Sequence, residues 1–303
     1  MRKGREKKMS NTASKKISTS NRKGQMKQVW FRFRKNKLAM IGLVVITILI
    51  LACLSASLYI PYEKVYTQSI RDAFIPPFSE GHIFGTDQFG RDLFARIMYG
   101  GRISLFAGLV TIGIAFVMGI ILGGSAGFFG GKTDTIIMRF CDILMSVPGI
   151  LLSMTIVAAL GQGLGKMLIA MSVSLIPRQA RTVRAAVLTL RGQEFVEAAR
   201  CYGTRNSTII FRHIIPNVMG PLIIGVMSGI GGQILQIASL GFLGIGIAPP
   251  TPEWGTIISE NQSNILFYPY LGLVPGLFIM VAVLSLNFIG DGLRDALDPK
   301  QKN

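Results

Sequence analysis

The sequence predicts an all-α integral membrane protein with six transmembrane helices, and three observations predict it. Half of the 303 residues are hydrophobic and only 16% are charged, whereas about a quarter of the residues in a soluble domain are charged; mean hydropathy is +0.48. Apolar runs recur at lengths near the roughly 20 residues that a helix needs to cross a bilayer core. The basic residues gather in particular segments between those runs, which is how membrane proteins encode their orientation.

Residues 1–37 come first. They hold 14 of the 32 Lys and Arg residues and a single acid, Glu6, so +13 of the net +17 precedes the first apolar run. A segment this polar, without an aromatic residue before Trp30, is expected to stay unstructured until it reaches the membrane. Its charge fits anionic lipid better than nucleic acid. Residues 38–60 are a 23-residue apolar run with no small-residue cleavage pattern behind it, so they read as a retained span and not as a signal peptide. The loop 61–102 carries five basic and five acidic residues. The second span is 103–129. A third runs over 136–160 and is kinked at Val147-Pro148-Gly149. The fourth, 164–176, is short and borrows helix from beyond Pro177, and the fifth, 214–247, is long and Gly-rich and expected to be tilted or broken near Gly229 to Gly232. The sixth is 268–289, and 291–303 form the C-terminus. Residues 103–290 thus make a five-helix core interrupted by a polar loop at 178–213.

Six spans place both termini on one side. The tail and the 178–213 loop hold 14 and seven basic residues, whereas 247–267 has Glu253 and Glu260 and no cation. The positive-inside rule therefore makes the termini and the 178–213 loop cytoplasmic, and 61–102 extracytoplasmic.

Several motifs invite other readings. Gly123-Gly124-Ser125-Ala126-Gly127 satisfies GxSxG, but a nucleophile elbow needs a strand, a turn and a histidine partner. Gly119, Gly123 and Gly127 at four-residue spacing read instead as close helix packing. Gly161 to Lys166 is one residue short of a phosphate loop, and Met167 stands where the magnesium ligand belongs. Cys53, Cys141 and Cys201 are far apart and are expected to be free thiols; with only His82 and His213 available, no metal site is expected. Arg139 and Asp142, three apart near a span entry, are expected to pair with each other.

The segment EFVEAARCYGTRNSTIIFRHIIPN places Phe195, Ala198, Ala199 and Tyr202 on one helical stripe. Glu197 and Arg200 can pair on its flank, Gly203 is placed as a left-handed cap, and Thr204 to Ser207 can start a second helix. Small residues on an exposed stripe suit docking by a partner. The segment resembles the EAA loop of bacterial ATP-binding-cassette importer permeases: Glu197-Ala198-Ala199, three residues, Gly203, then Ile215 and Pro216. His213 and Ile215 depart from the general pattern, and FRHIIPN is similar to the form seen in the peptide and nickel branch. HIFGTDQFGRDLFARIMYGGRISL (82–105), SLGFLGIGIAPPTPEWG (239–255) and NFIGDGLRDALDP (287–299) resemble segments of C-type permease subunits of dipeptide and oligopeptide importers. The resemblance covers roughly residues 28–299.

It implies the type I ABC importer permease fold, that of binding-protein-dependent inner-membrane components, in the bacterial cytoplasmic membrane. It also implies a subunit that is not an enzyme and that imports di- or oligopeptides. Its implied partners are a second related permease, two ABC ATPase subunits holding ATP and magnesium, and an extracytoplasmic peptide-binding protein; surrounding lipid is expected and nucleic acid is not. Glu197, Ala198, Ala199, Gly203 and Pro216 would form the ATPase-docking site. Gly85, Asp87, Gly90, Arg91, Asp92, Trp254, Gly255, Asp291, Arg294 and Asp295 stand in the remaining family motifs. Read as residues alone, Asp87, Arg91 and Asp92 could meet a substrate amine or a docked protein, or simply hold a loop. Trp254 with Gly255 reads as an interfacial anchor beside a turn. Asp291, Arg294 and Asp295 would tie the last helical turn together. Nickel import shares these motifs but gains no support from ligand chemistry, with His82 as the one external histidine. An ion-coupled secondary transporter would need charged relays within the spans and an internal inverted repeat.

Overall fold

The computed structural model describes residues 27–297, and among these there is no β-strand. In chain order the helices are α1 (27–35), α2 (Lys37–Tyr59), α3 (Glu63–Tyr66), α4 (Leu93–Phe129), α5 (Gly131–Met145), α6 (Gly149–Leu160), α7 (Leu164–Arg191) and α8 (Glu194–Cys201). They continue with α9 (Asn206–Thr208), a π-turn at Ile209–Ile214, α10 (Ile215–Phe242), α11 (Trp254–Glu260) and α12 (Tyr270–Leu297). The tail expected to be unstructured is helical over 27–35; residues 1–26 and 298–303 lie outside the described residues.

Among the described residues, four helical stretches are long and apolar enough to cross a membrane: α2, α4, Asn206–Phe242 and α12. The α5–α6 pair makes a fifth if it counts as one broken span, bent by 86° where Ser146 to Pro148 interrupt it. The fourth expected span corresponds to the apolar first half of α7, which then continues through Pro177 as a single helix carrying four arginines. Two further boundaries correct the sequence reading. The second span begins at Leu93 and not at Ile103, because Asp92 caps it and the polar first turns are buried against the protein. The helix over Gly229 to Gly232 is unbroken.

Helix packing follows membrane logic, with small residues inside and large apolar ones outside. The inward side of α2 is Ala39, Gly42, Ile46, Leu49, Cys53 and Ala56, alternating by three and four residues, while Leu38, Ile41, Ile48, Leu51 and Leu54 face out. Lipid is as apolar as leucine, so association relies on backbones coming close. A Cβ on Gly42 would stand 2.6 Å from the Ser285 carbonyl of α12. Gly119, Gly123 and Gly127 do the same for α4 against α7: their added Cβ atoms would lie 2.7 Å from Gln179 Cβ, 2.1 Å from the Ala180 oxygen and 3.0 Å from the Arg184 oxygen. Ser125 merely donates to the Ile121 carbonyl within its helix.

Some expected charge pairs are rearranged. Asp142 pairs with Arg181 of α7, and not with Arg139; Asp134 takes Arg184. Partners on a neighbouring helix replace the one three residues away, because α5 lies alongside α7. Likewise no ion pair joins Asp291, Arg294 and Asp295. Asp295 accepts from Asn36 Nδ2 at 3.2 Å, and Asn36 Oδ1 also accepts from Ala39 N to cap α2, so one residue pins the start of α2 to the end of α12.

Candidate functional site

Two regions gather the residues singled out by sequence, one at each end of the bundle. The first is α8. Its single buried residue is Val196, set among Phe128, Val183, Val187, Ile209, Ile210 and Ile214. Arg200 lies 5.1 Å above the Phe128 ring and makes no ion pair with Glu197. Stacking on the end of α4 has replaced the flank pair expected from spacing. Phe195, Glu197, Ala198 and Tyr202 stay exposed, Tyr202 at 89%, and Ala199 is half-buried.

The helix ends in a Schellman motif: Thr204 N donates to the Ala199 carbonyl and Gly203 N to the Arg200 carbonyl. Gly203 takes φ +69°, a conformation that costs an L-residue about 1–2 kcal/mol. The chain then enters α9 and the π-turn, in which Ile215 N bonds back to Ile210 O. Pro216 follows. A proline cannot donate to the carbonyl four residues earlier and its ring crowds it, and the wider turn accommodates this. Asn217 Nδ2 donates to the His213 carbonyl. The exposed stripe of α8 is therefore joined to α10 through the Gly203 turn, α9 and the π-turn.

The second region is built from the 61–92 loop, the start of α4 and α11. Gly85 and Gly90 adopt φ of +77° and +72°, and a Cβ on Gly90 would stand 1.9 Å from the Ser69 oxygen. Only glycine lets the loop fold back this closely. Asp87, fully buried, accepts from Arg91 Nε and Arg96 Nη1, both at 2.7 Å, and from the backbone N–H groups of Phe89 and Arg91. Glu260 of α11 closes the cluster by pairing with Arg96 and approaching Arg91 at 3.3 Å. Two cations and two anions thus balance in the interior. Asp92 accepts from Ala95 N at 2.7 Å as the α4 cap and from His82 Nδ1 at 2.8 Å. These residues are structural, and their burial leaves neither Asp87 nor Arg91 free to meet a substrate. Arg96 and Glu260 were missed by sequence reasoning, since neither has a local partner that would signal the network.

Trp254 is fully buried rather than an interfacial anchor. Its Nε1 donates to Ile97 O at 3.0 Å, and its ring packs where a Cβ on Gly101 would stand 2.8 Å away. Gly255 lies inside α11 and not in a turn; a Cβ there would be 2.0 Å from the Ala238 oxygen, so it sets how closely α11 approaches α10. Glu253 caps α11 through Thr256 N, and Ser104 Oγ donates to it at 2.9 Å. Burial pushes the Glu253 carboxyl above its ordinary range, against the lowering effect of these hydrogen bonds.

An exposed amphipathic helix at one end, a locked loop cap at the other and close-packed apolar helices between them suit a membrane transport subunit. The chain belongs to the family of binding-protein-dependent transport system inner membrane components, whose profile matches residues 115–303. A second profile, the N-terminal TM domain of oligopeptide transport permease C, matches residues 24–77. The chain is 44% identical over 277 residues to the dipeptide transport system permease protein DppC of Alkalihalophilus pseudofirmus, covering 91% of this chain and 90% of the relative. It is 40% identical over 274 residues to the oligopeptide transport system permease protein OppC of Bacillus subtilis, covering 90% and 89%. It is also 40% identical over 275 residues to the glutathione transport system permease protein GsiD of Escherichia coli, covering 91% and 90%. Among solved structures, an inward-facing conformation of the MetNI methionine ABC transporter matches with TM-score 0.55 and 19% identity, over 67% of this chain and 97% of that one. The fold is thus that of an ABC importer permease. The chain is a transport subunit and not an enzyme; ATP hydrolysis lies in partner subunits, and a substrate-binding partner delivers the cargo.

Proposed function

We propose that this chain carries di- or oligopeptides across the bacterial cytoplasmic membrane, paired with a second related permease and driven by two ATPase subunits. The observation that carries the reading is α8: a helix held by one buried valine, with Phe195, Glu197, Ala198 and Tyr202 open to a partner and a fixed glycine turn leading into α10. Movement of a docked ATPase would pass through this turn to the long helix Asn206–Phe242 and rock one half of the membrane assembly against the other. The distribution of basic residues supports cytoplasmic termini and a cytoplasmic α8. The loop cap at the far end would then face the peptide-binding protein. ATP and magnesium would be held by the ATPases. Peptide cargo is supported by the dipeptide, oligopeptide and glutathione systems of the relatives.

The test is uptake of labelled di- to pentapeptides in cells lacking this gene, complemented with the native chain or with Glu197→Lys plus Gly203→Asp. The native chain should restore uptake and the double variant should not, at equal membrane levels. Normal uptake by the double variant would remove α8 as the docking element. Failure of the native chain to restore any peptide uptake would remove peptides as the cargo.

A further inference from the structure

A cavity of about 660 Å³ lies between the α5–α6 bend, α7 and α10. That volume is within the range of small-molecule sites, roughly 300–1,000 Å³. Its lining is mostly apolar residues and glycines, with polar groups from Ser174, Gln179, Thr182, Ser228, Gln233 and Gln236, and one charged residue, Arg178.

Arg178 is set apart by what its neighbours do. Two further arginines of α7 follow it at three-residue spacing. Arg181 is neutralised by Asp142 and Arg184 by Asp134, both from α5. No described carboxylate pairs with Arg178, and no side chain of the cavity lining carries negative charge. Arg178 is exposed while lining the cavity, so its guanidinium is open to an anionic ligand there. A second orphan lies in the same wall: Gln233 is 7% exposed, and its Oε1 has no hydrogen-bond donor, while its Nε2 donates to Gln236 Oε1 at 3.2 Å. Within one cavity, then, there is a guanidinium lacking an anion and a buried amide oxygen lacking a donor.

We propose that this cavity is a permease subsite for a carboxylate-bearing peptide, with Arg178 taking the carboxylate and Gln233 accepting a peptide N–H. The inference deepens the peptide-import reading and rests on it. Guanidinium and carboxylate match as planar two-pronged partners, and an amide-lined wall suits a main chain whose side chains vary. Arg178 would thus give this subunit its own selectivity for a carboxylate, in addition to that of the binding protein. The carboxylate is either the free C-terminus or an acidic side chain.

The test uses the assembled transporter in lipid nanodiscs, so that the cavity is reached without prior delivery by the binding protein. Thr182 stands one helical turn from Arg178 on the cavity wall. Thr182→Cys is placed in a Cys201→Ser background, because Cys201 is the exposed native thiol while Cys53 and Cys141 are buried. Labelling by a small thiol reagent is followed against added trialanine, trialanine amide and an amidated tripeptide containing glutamate. Trialanine should protect at concentrations about tenfold below its amide, roughly the worth of one charge-assisted hydrogen bond. Arg178→Gln should erase that preference and Arg178→Lys should keep most of it. Protection by the glutamyl amide, lost in Arg178→Gln, would assign a side-chain carboxylate as a second source. Equal protection by acid and amide, or none by either, overturns the proposal. If the native chain also fails to restore peptide uptake in cells, the peptide reading itself has failed; if uptake is restored without protection, only the subsite has.

Discussion

Replacing Asp87 by Asn should be among the most damaging single changes in the half of the bundle that holds α11, because it unbalances a buried four-charge cluster. Asp87 Oδ2 accepts from Arg91 Nε and Arg96 Nη1 at 2.7 Å each, while Oδ1 serves the backbone N–H groups of Phe89 and Arg91. In Asp87→Asn one oxygen can still serve the two backbone donors, but the amide NH₂ then faces two guanidinium donors. Two hydrogen bonds to charged groups are lost, at about 1.5–3 kcal/mol each. One arginine charge is also left uncompensated among fully buried groups, and breaking a buried pair costs about 3–5 kcal/mol. The two estimates describe the same loss and agree on a destabilisation near 4 kcal/mol. Arg96→Leu leaves the opposite imbalance and should cost a similar amount. The double variant keeps one cation, Arg91, and one anion, Glu260, so its cost should fall short of the sum of the two by about 2–3 kcal/mol. Thermal unfolding of the detergent-solubilised complex, read by fluorescence-detected size exclusion, gives the four corners of the cycle. Strict additivity of the two single changes, or an Asp87→Asn melting point equal to that of the native chain, would falsify the buried-cluster account.

Gly123→Val places a Cβ 2.1 Å from the Ala180 oxygen, where contacts under 3.0 Å are essentially never seen. The α4–α7 contact must open by about 0.9 Å at an overpacking cost of roughly 1–3 kcal/mol, seen as reduced membrane abundance. Gly203→Ala keeps the exposed stripe of α8 but strains its φ of +69° by about 1–2 kcal/mol. Peptide uptake should drop while fold stability changes little, and intact uptake would show that the turn need not be rigid. Trp254→Phe removes the indole N–H that Ile97 O accepts beside its own helical bond. A loss of about 0.5–1.5 kcal/mol in the same melting assay is expected. Glu253 binds its proton more tightly in the folded chain than in the unfolded one, so its contribution to stability is fullest below the ordinary value of 4.5 and falls as pH rises toward the folded value. Glu253→Gln should flatten that slope in melting curves taken as a function of pH, and an unchanged slope would mean that another group sets it.

What could be read from the sequence was whatever depended on neighbours along the chain. The left-handed cap at Gly203 and the interruption at Pro148 are local events, and the four-residue glycine repeat in α4 fixes a face without knowledge of its partner. The charge partners were not local. Arg139 and Asp142 stand three apart, but Asp142 binds Arg181, 39 positions on, and Asp87 acquires its meaning only when Glu260 arrives on α11. Trp254 misled for a related reason: beside prolines and a glycine it has the composition of a membrane-surface loop, and only the bare Gly101 on α4 reveals the slot that receives it.

The same distinction bears on mechanism. Asn206–Phe242 spans 37 residues, about 55 Å, and it starts one short turn after α8. It passes the cavity at Gln233 and Gln236 and ends beside the α11 segment that Glu253, Trp254 and Gly255 fasten to it and to α4. A push at α8 that bent this helix would have to break backbone hydrogen bonds along it. Moving it whole requires only that side-chain contacts slide at its ends. On the proposal that an ATPase docks at α8, the tight fastening beside α11 makes that end the fulcrum, so displacement should grow toward the π-turn and be felt at the cavity between. Labels on Tyr202, Gln236 and Thr256 should therefore report shifts of decreasing size on nucleotide binding, whereas equal shifts at all three would mean that the helix translates without pivoting.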